Sequence, residues 1–383
     1  MKRFPLHFFE IAGIVAAATV GDGVFALPYV FYNAGWLLGI FYLAILAVLV
    51  NAAHVVYLKT LESEGEKERL LGLAEKRFGK AGFWVGFLAI VIGLLLTLVA
   101  YLILGTQFIH LAVPMIRLRY AFAAFWVLIS AMVLASDKEV RKLELAGIAC
   151  TSVIIVIIFA ASWPNILFAG VPAVNWQNLF LPFGAVLFSL AGWTSIEPAY
   201  EARKRRLAGQ VPTSRSATAK NPWLALATGT AFAALLYTMF AAGIIGSSAG
   251  GMITPDTASG LVMWPLWKKD LLAVLGLVAV ATVYLPISRE IKNALEKDLH
   301  WPRGSSRPLI VLFPPALVLL GFNNFLAVVG LVGGAFLSVQ YLLIISVGRR
   351  ALKLSTFQKI CLDAIALVFV VAAVYSVYSF IVR

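Results

Sequence analysis

Apolar residues fill long runs along this chain, and polar residues are confined to the short stretches between them. The runs fall near 6–32, 35–58, 82–112, 118–135, 145–167, 177–200, 222–246, 269–288, 307–322, 325–348 and 357–382. A helix needs about 20 residues to cross the apolar core of a bilayer, so the pattern predicts an all-α membrane protein with about 11 spans. The third run is long enough to require tilt. Between the second and third runs, Leu61–Ala81 sets Leu70, Leu71, Leu73, Ala74 and Phe78 near helical spacing among charges. That segment reads as a short amphipathic helix lying on the membrane surface.

Two runs break their own pattern. Val20–Tyr29 reads V-G-D-G-V-F-A-L-P-Y. Gly21 and Gly23 weaken helical backbone, and Pro28 removes a donor. A carboxylate at mid-membrane depth, here Asp22, costs roughly 3 kcal/mol or more unless it faces a partner or a wet cavity. The run therefore reads as a discontinuous helix, with a joint of bare backbone between about Val20 and about Val24. Free backbone groups at such a joint are tolerable only where they line a site. Phe188–Glu201 reads F-S-L-A-G-W-T-S-I-E-P-A-Y-E and repeats the plan. Gly21 stands seven residues before Pro28, Ala191 stands seven before Pro198, and Tyr29 and Tyr200 trail the prolines.

Charge supplies direction. Taking the stretches between runs alternately, one set holds 26 of the 31 Lys and Arg residues and the other holds 5. Cytoplasmic stretches carry the excess of basic residues, so the N-terminus is expected in the cytoplasm and the C-terminus outside. Spans one and six then run in opposite directions, which predicts a 5+5 inverted repeat with a binding site between the two discontinuous helices. Repeat one would cover 1–167 and repeat two 177–348, with 357–382 an added eleventh span, all within one domain.

Composition narrows the class. The chain is 61% hydrophobic and 13% charged, far below the charge of a soluble domain. Its net charge of +13 sits in alternate loops rather than one patch, which argues against a nucleic-acid partner. Cys150 and Cys361 lie in separate apolar runs and the four histidines show no ligand spacing, so no disulfide framework, metal site or cofactor is expected. Paired histidines, a His–carboxylate motif or a nucleophile with its base are missing, which argues against an enzyme. The start Met1-Lys2-Arg3 imitates a signal peptide, but Glu10, Asp22 and the length of the run fit a first span.

The joint has its own chemistry. N–H groups around Asp22–Val24 suit a carboxylate, and carbonyls ending the preceding half-helices suit an ammonium or an alkali cation. Both together suit a zwitterion, hence an amino acid. Phe25, Phe188 and Trp193 are candidate walls, with Tyr101 at mid-depth of the third span. Asp22 has three readings: partner of the substrate ammonium, carrier of a coupling proton, or cap of the second half-helix. Thr282 in span eight could complete a cation site with carbonyls of span one, or bond back to its own helix. Glu197 reads as part of a gate with Arg203 or Arg289. Gly330, Gly333 and Gly334 allow close packing or a gate.

These residues resemble a family. Gly21–Tyr29, G-D-G-V-F-A-L-P-Y, followed by N-A-G-W at Asn33–Trp36, resembles the opening segment of amino-acid permeases of the amino acid/polyamine/organocation superfamily. The likeness is closest to the branch holding the aromatic (tryptophan/tyrosine) permeases and the amino-acid/auxin permeases. Leu70–Gly82 resembles that branch's first inner loop, and Phe188–Trp193 its sixth helix. The resemblance implies a leucine-transporter-type fold and alternating access driven by a proton or sodium gradient. The cargo would be an aromatic or other neutral amino acid crossing the cytoplasmic membrane. The alternatives are a non-transporting amino-acid sensor of the same fold and a transporter of another amine. The resemblance places substrate against Gly21, Asp22, Gly23, Phe188, Gly192 and Trp193. Val24, Phe25, Tyr101 and Ala191 complete the candidate site, and Asp22 and Thr282 are the candidates for the coupling ion. The expected partners are the amino acid and the lipid bilayer; the oligomeric state is open. The chain departs from the family at Asp22, where a small neutral residue is usual. A span-five lysine used by some proton-coupled relatives is absent from 146–168.

Overall fold

The computed structural model describes residues 6–65, 69–134, 137–163, 171–208, 222–248, 253–257 and 264–382. Among these residues there are helices and turns and no strand. Lys2, Arg3, Lys67, Arg383 and the basic residues of 209–221, which enter the charge pattern, lie outside the described residues. The first run is a broken helix: α1 (Leu6–Thr19), a tight 3-10 turn over Asp22–Ala26, then α2 (Leu27–Ala34), bent by 49°. The break is extended backbone at Gly21 (φ −144°, ψ −158°). Pro28 falls in the first turn of α2, where its missing N–H would have had no helical partner. The repeat continues with α3 (Trp36–Glu64), α4 (Leu70–Gly86), α5 (Gly93–Ala112), α6 (Leu118–Leu134) and α7 (Asp137–Ser162).

The sixth run breaks in the same way. It comprises α8 (Leu181–Ser189), a 3-10 turn at Trp193–Ser195 and α9 (Ile196–Ala208). Then come α10 (Pro222–Ser247), α11 (Leu266–Asn293), α12 (Ser306–Leu319), α13 (Phe325–Leu331), α14 (Ser338–Ala351) and α15 (Thr356–Val382). Thr19 and Ser189, the last helical residues before the two breaks, each donate a hydroxyl to the carbonyl four residues back, both at 2.8 Å. Back-bonding of this kind loosens the helix it caps. Among the described residues six helices are long and apolar enough to cross a membrane, or seven with the bent α1–α2 pair; α6, Ala146–Ser162 of α7 and α12 are shorter apolar helices.

Packing shows how the two broken helices run. α1 packs on α9, and α2 packs on α8. The first half of one meets the second half of the other, so they are antiparallel. Neighbour pairs also recur when each span is exchanged for the one five places away in the other half. α10 packs on α7, as α3 packs on α14; α6 packs on α5, as α12 packs on α11. Close approach holds α8 against the span-ten helix: a Cβ on Gly184 would lie 2.9 Å from the Gly330 carbonyl oxygen. The span-ten glycines thus serve packing here.

One expectation about the fold is corrected. The amphipathic segment at Leu70 does not lie on a lipid surface. It forms the first part of α4 and turns into the third span at Gly79, whose φ of 63° and ψ of −151° break the helix. Leu70, Leu71, Leu73 and Ala74 are buried, and α4 packs against α14. Its apolar face found a protein groove, which a sequence pattern cannot tell from lipid.

Candidate functional site

The two breaks meet at one point in the bundle, and Tyr237 of α10 stands between them. Its hydroxyl reaches the Thr19 carbonyl that ends α1 and lies 2.8 Å from the Ser189 carbonyl that ends α8. It also accepts from the Gly21 N–H at 3.4 Å. A phenol has one hydrogen to donate, so it satisfies one of the two carbonyls at a time. Tyr237→Phe would leave both carbonyls and the Gly21 N–H without this partner. Orphaning a buried polar group costs about 1–3 kcal/mol, so the variant is expected to unfold at lower temperature in a thermal melt of the purified protein.

A cavity of about 30 Å³ opens beside this junction. That is room for about two water molecules, so an amino acid enters only if the walls move. Asp22, Gly21 and Gly23 line it from the first break; Phe188, Ala191 and Trp193 line it from the second. Tyr101 closes the third side, its ring 6.1 Å from that of Phe188 and 6.2 Å from that of Tyr284. Asp22 is 1% exposed. The Tyr101 hydroxyl and the backbone N–H groups of Asp22 and Gly23 lie beside its carboxylate. Its Oδ2 has no hydrogen-bond partner. The carboxylate therefore sits at the start of the second half-helix and presents a bare acceptor.

The remaining candidates lie off the cavity. Val24 and Phe25 are fully buried, and Phe25 packs on Phe108 and Phe240 at 4.6 and 5.4 Å between ring centroids. Phe25 is a core residue and not a wall of the site. Gly192 lies between Thr19 and His54. Thr282 donates its hydroxyl to Val278 and Ala279, each at 2.9 Å, and its methyl meets Gly147 of α7. The hydroxyl is used within its own helix.

The glycines at the breaks answer to close approach. A Cβ on Gly23 would lie 2.6 Å from Ser189 Cα and 2.8 Å from Ser189 Oγ. Backbone cannot yield there, so Gly23→Ala should cost about 1–3 kcal/mol, as overpacking does, and part the two breaks. A Cβ on Gly192 would instead meet the Thr19 hydroxyl, a short group that can rotate. Thermal unfolding and ligand binding of the two alanine variants should show the larger loss at Gly23.

At the end of the bundle where α3 leads to α4, Arg69 forms the cluster that sequence reading missed. Its guanidinium pairs with Glu197 of α9 and, at 2.6 Å, with Glu290 of α11. Tyr57 donates to Glu197 at 2.6 Å. Burial opposes the charge on Arg69, but Glu290 and Glu197 outweigh it and hold its pKa above the ordinary value. The expected partners of Glu197 were Arg203 or Arg289; Arg203 instead pairs with Glu62 at 2.5 Å. Above this cluster Trp193 donates its indole N–H to Gln340 at 2.6 Å. Gln340 in turn donates to the Ala89 carbonyl at 2.7 Å. Ala89 belongs to a wide π-turn over Phe87–Ile92, a geometry that frees a carbonyl for such a bond.

Comparison with known proteins gives these features a setting. A family model described as transmembrane amino acid transporter protein matches residues 7–246. No curated protein matches the chain. Among solved structures, a mutant of the manganese transporter of Eremococcus coleocola aligns with a TM-score of 0.69 at 14% identity, covering 98% of this chain and 87% of that one. The same transporter in complex with an aromatic bis-isothiourea substituted compound gives a TM-score of 0.67 at 13% identity, with coverage of 98% and 87%. Mhp1, a nucleobase-cation-symport-1 family transporter in a closed conformation with bromovinylhydantoin bound, gives 0.60 at 12% identity, covering 97% and 93%. These identities speak for the fold alone, and that fold is the leucine-transporter type.

Proposed function

The chain belongs to the transmembrane amino acid transporter family, and from that premise we propose that it carries a neutral amino acid with an apolar side chain by alternating access. The observation that carries this reading is the bare Oδ2 of a buried Asp22 at a cavity between two broken helices. An acceptor of that kind fits the substrate ammonium. The turn at Trp193–Ser195 starts without a side-chain cap, so its first N–H groups fit the substrate carboxylate. Leu94, Phe188, Val283, Ile287 and Leu337 on the cavity wall suit an apolar side chain, aromatic ones among them. Among the described residues Asp22 is the one charged residue on that wall, and no His, Cys or Met lines it, which favours an organic substrate over a metal ion.

The finer assignments follow from this reading. The N-terminus lies in the cytoplasm, 1–167 and 177–348 form the two inverted repeats, and the Arg69 cluster closes the cytoplasmic end. Uptake is driven by an ion gradient. The test is uptake of a panel of labelled amino acids into liposomes holding the purified protein, with an inward proton gradient, an inward sodium gradient or neither. Accumulation of apolar amino acids under one gradient is the expected result. No uptake under any gradient, by protein shown to be folded and inserted, contradicts the reading.

A further inference from the structure

Trp193 is the largest side chain on the cavity wall, and it is 1% exposed. Its indole N–H donates to Gln340 Oε1 at 2.6 Å, and Gln340 Nε2 donates to the Ala89 carbonyl at 2.7 Å. An indole N–H can only donate and a carbonyl can only accept, so an amide, with one acceptor end and one donor end, suits the position between them. Gln340 is fully buried and closely packed: a Cβ built on Gly93 would lie 3.0 Å from its Nε2 and 2.9 Å from Phe336 Cβ. The helices that hold the amide also face the cavity. Leu94 follows Gly93 on α5, Leu337 stands three residues before Gln340, and both line the cavity. Each of these helices carries a π-turn here, Phe87–Ile92 and Val332–Leu337, and the two turns pack on one another. Turns of this kind gather at functional places. The indole also meets Tyr57, with ring centroids 6.3 Å apart, and Tyr57 donates to Glu197 of the Arg69 cluster. Trp193 thus stands between the cavity and that cluster.

We propose that Gln340 sets the size of side chain that the transporter accepts, by pinning the Trp193 indole as the floor of the cavity. This deepens the transport reading and rests on it. The cavity must enlarge before an amino acid enters, and its walls differ in how they give way. At Gly23 the two breaks approach too closely for a Cβ, and Tyr237 joins the carbonyls that end α1 and α8. Widening there means parting the helices. The indole is held by packing and by one hydrogen bond to a side chain. A small substrate side chain leaves that bond intact. A large one displaces the indole and breaks its bond to Gln340, so the loss of the bond counts against large substrates alone. Gln340 touches no substrate in this scheme; it is a positioning residue that acts through Trp193.

The test joins two readouts. Gln340→Met keeps the length and bulk of the side chain and removes both ends of the amide. In liposomes, the ratio of labelled phenylalanine uptake to labelled alanine uptake should rise about fivefold in Gln340→Met, the factor that a typical hydrogen bond gives. Trp193→Phe has no indole N–H to hold, so adding Gln340→Met to it should leave the ratio where Trp193→Phe alone puts it. A glutamine needed only for the fold would lower both uptakes together and keep the ratio. The second readout uses wild-type protein and so does not depend on the variant folding. Protein with 15N-labelled tryptophan in lipid nanodiscs is observed by NMR, and the Trp193 indole signal is identified by its loss in Trp193→Phe. That signal should shift with phenylalanine bound and hold its place with alanine bound. An unchanged uptake ratio in folded Gln340→Met, or an indole signal that does not respond to bound phenylalanine, overturns the proposal while leaving the transport reading intact. A wild type that carries no amino acid overturns both.

Discussion

Asp22→Asn is expected to abolish uptake while leaving the protein at least as stable as before. Truncating one partner of a buried charge pair costs about 2–5 kcal/mol, so substrate affinity should fall about 30-fold or more. The stability effect has the other sign. The carboxylate is buried with Oδ2 unpaired, and an unpaired buried charge is a standing cost to the fold. An isosteric amide removes that charge and keeps a side-chain oxygen that Tyr101 and the first N–H groups of the turn can reach. Binding of labelled substrate and thermal unfolding, run on the same preparation, separate the two effects. Near-normal uptake with an unchanged pH profile would leave Asp22 as a helix cap only. A large loss of stability would mean that the carboxylate supports the fold.

Arg69→Met is expected to do the reverse and strike the fold and the closed state together. Arg69 is 15% exposed and sits between Glu197 and Glu290, which are 13% and 10% exposed. Removing one partner of a buried ion pair costs about 3–5 kcal/mol, because the charge left behind is uncompensated. Here two carboxylates would be left facing each other. Relief comes by parting α9 from α11 and opening this end of the bundle to water. The thermal midpoint should fall, and a cysteine placed at Ala199, which is 1% exposed, should become reactive to a water-soluble thiol reagent. Arg69→Lys should restore less than the full midpoint, since an ammonium cannot bridge two carboxylates as the guanidinium fork does. A midpoint unchanged in Arg69→Met would show that the cluster holds nothing shut.

Much of this arrangement was legible in the chain. The broken helices announce themselves because Gly21 and Pro28, and Gly192 and Pro198, interrupt apolar runs that otherwise satisfy a membrane span. Asp22 stands out for the same reason, as the carboxylate at the centre of such a run. The matched hydroxyls Thr19 and Ser189, each the same distance before its proline, carry the signal more directly than the Gly21–Ala191 match, and their bonds to the preceding turn show why. Tyr237 could not be read. A lone tyrosine in an apolar helix has the same pattern whether it packs or bridges two breaks, one 218 and the other 48 residues away in sequence. Arg69 was hidden for a different reason: it begins a charged, amphipathic stretch that looks like a surface helix. Its two partners come from α9 and α11, which only tertiary packing brings to it. Phe25 was misplaced because a residue next to a joint can face either the cavity or the core, and its fit between Phe108 and Phe240 depends on α5 and α10.

The most direct test of the central claim is a structure of the protein in lipid nanodiscs with the amino acid that the uptake panel selects. The account predicts density at the junction of the two breaks, with the substrate ammonium within hydrogen-bond distance of Asp22 Oδ2 and its carboxylate at the Trp193–Thr194 turn. Density elsewhere, with Tyr237 still joining Thr19 to Ser189 and the junction closed, would contradict it.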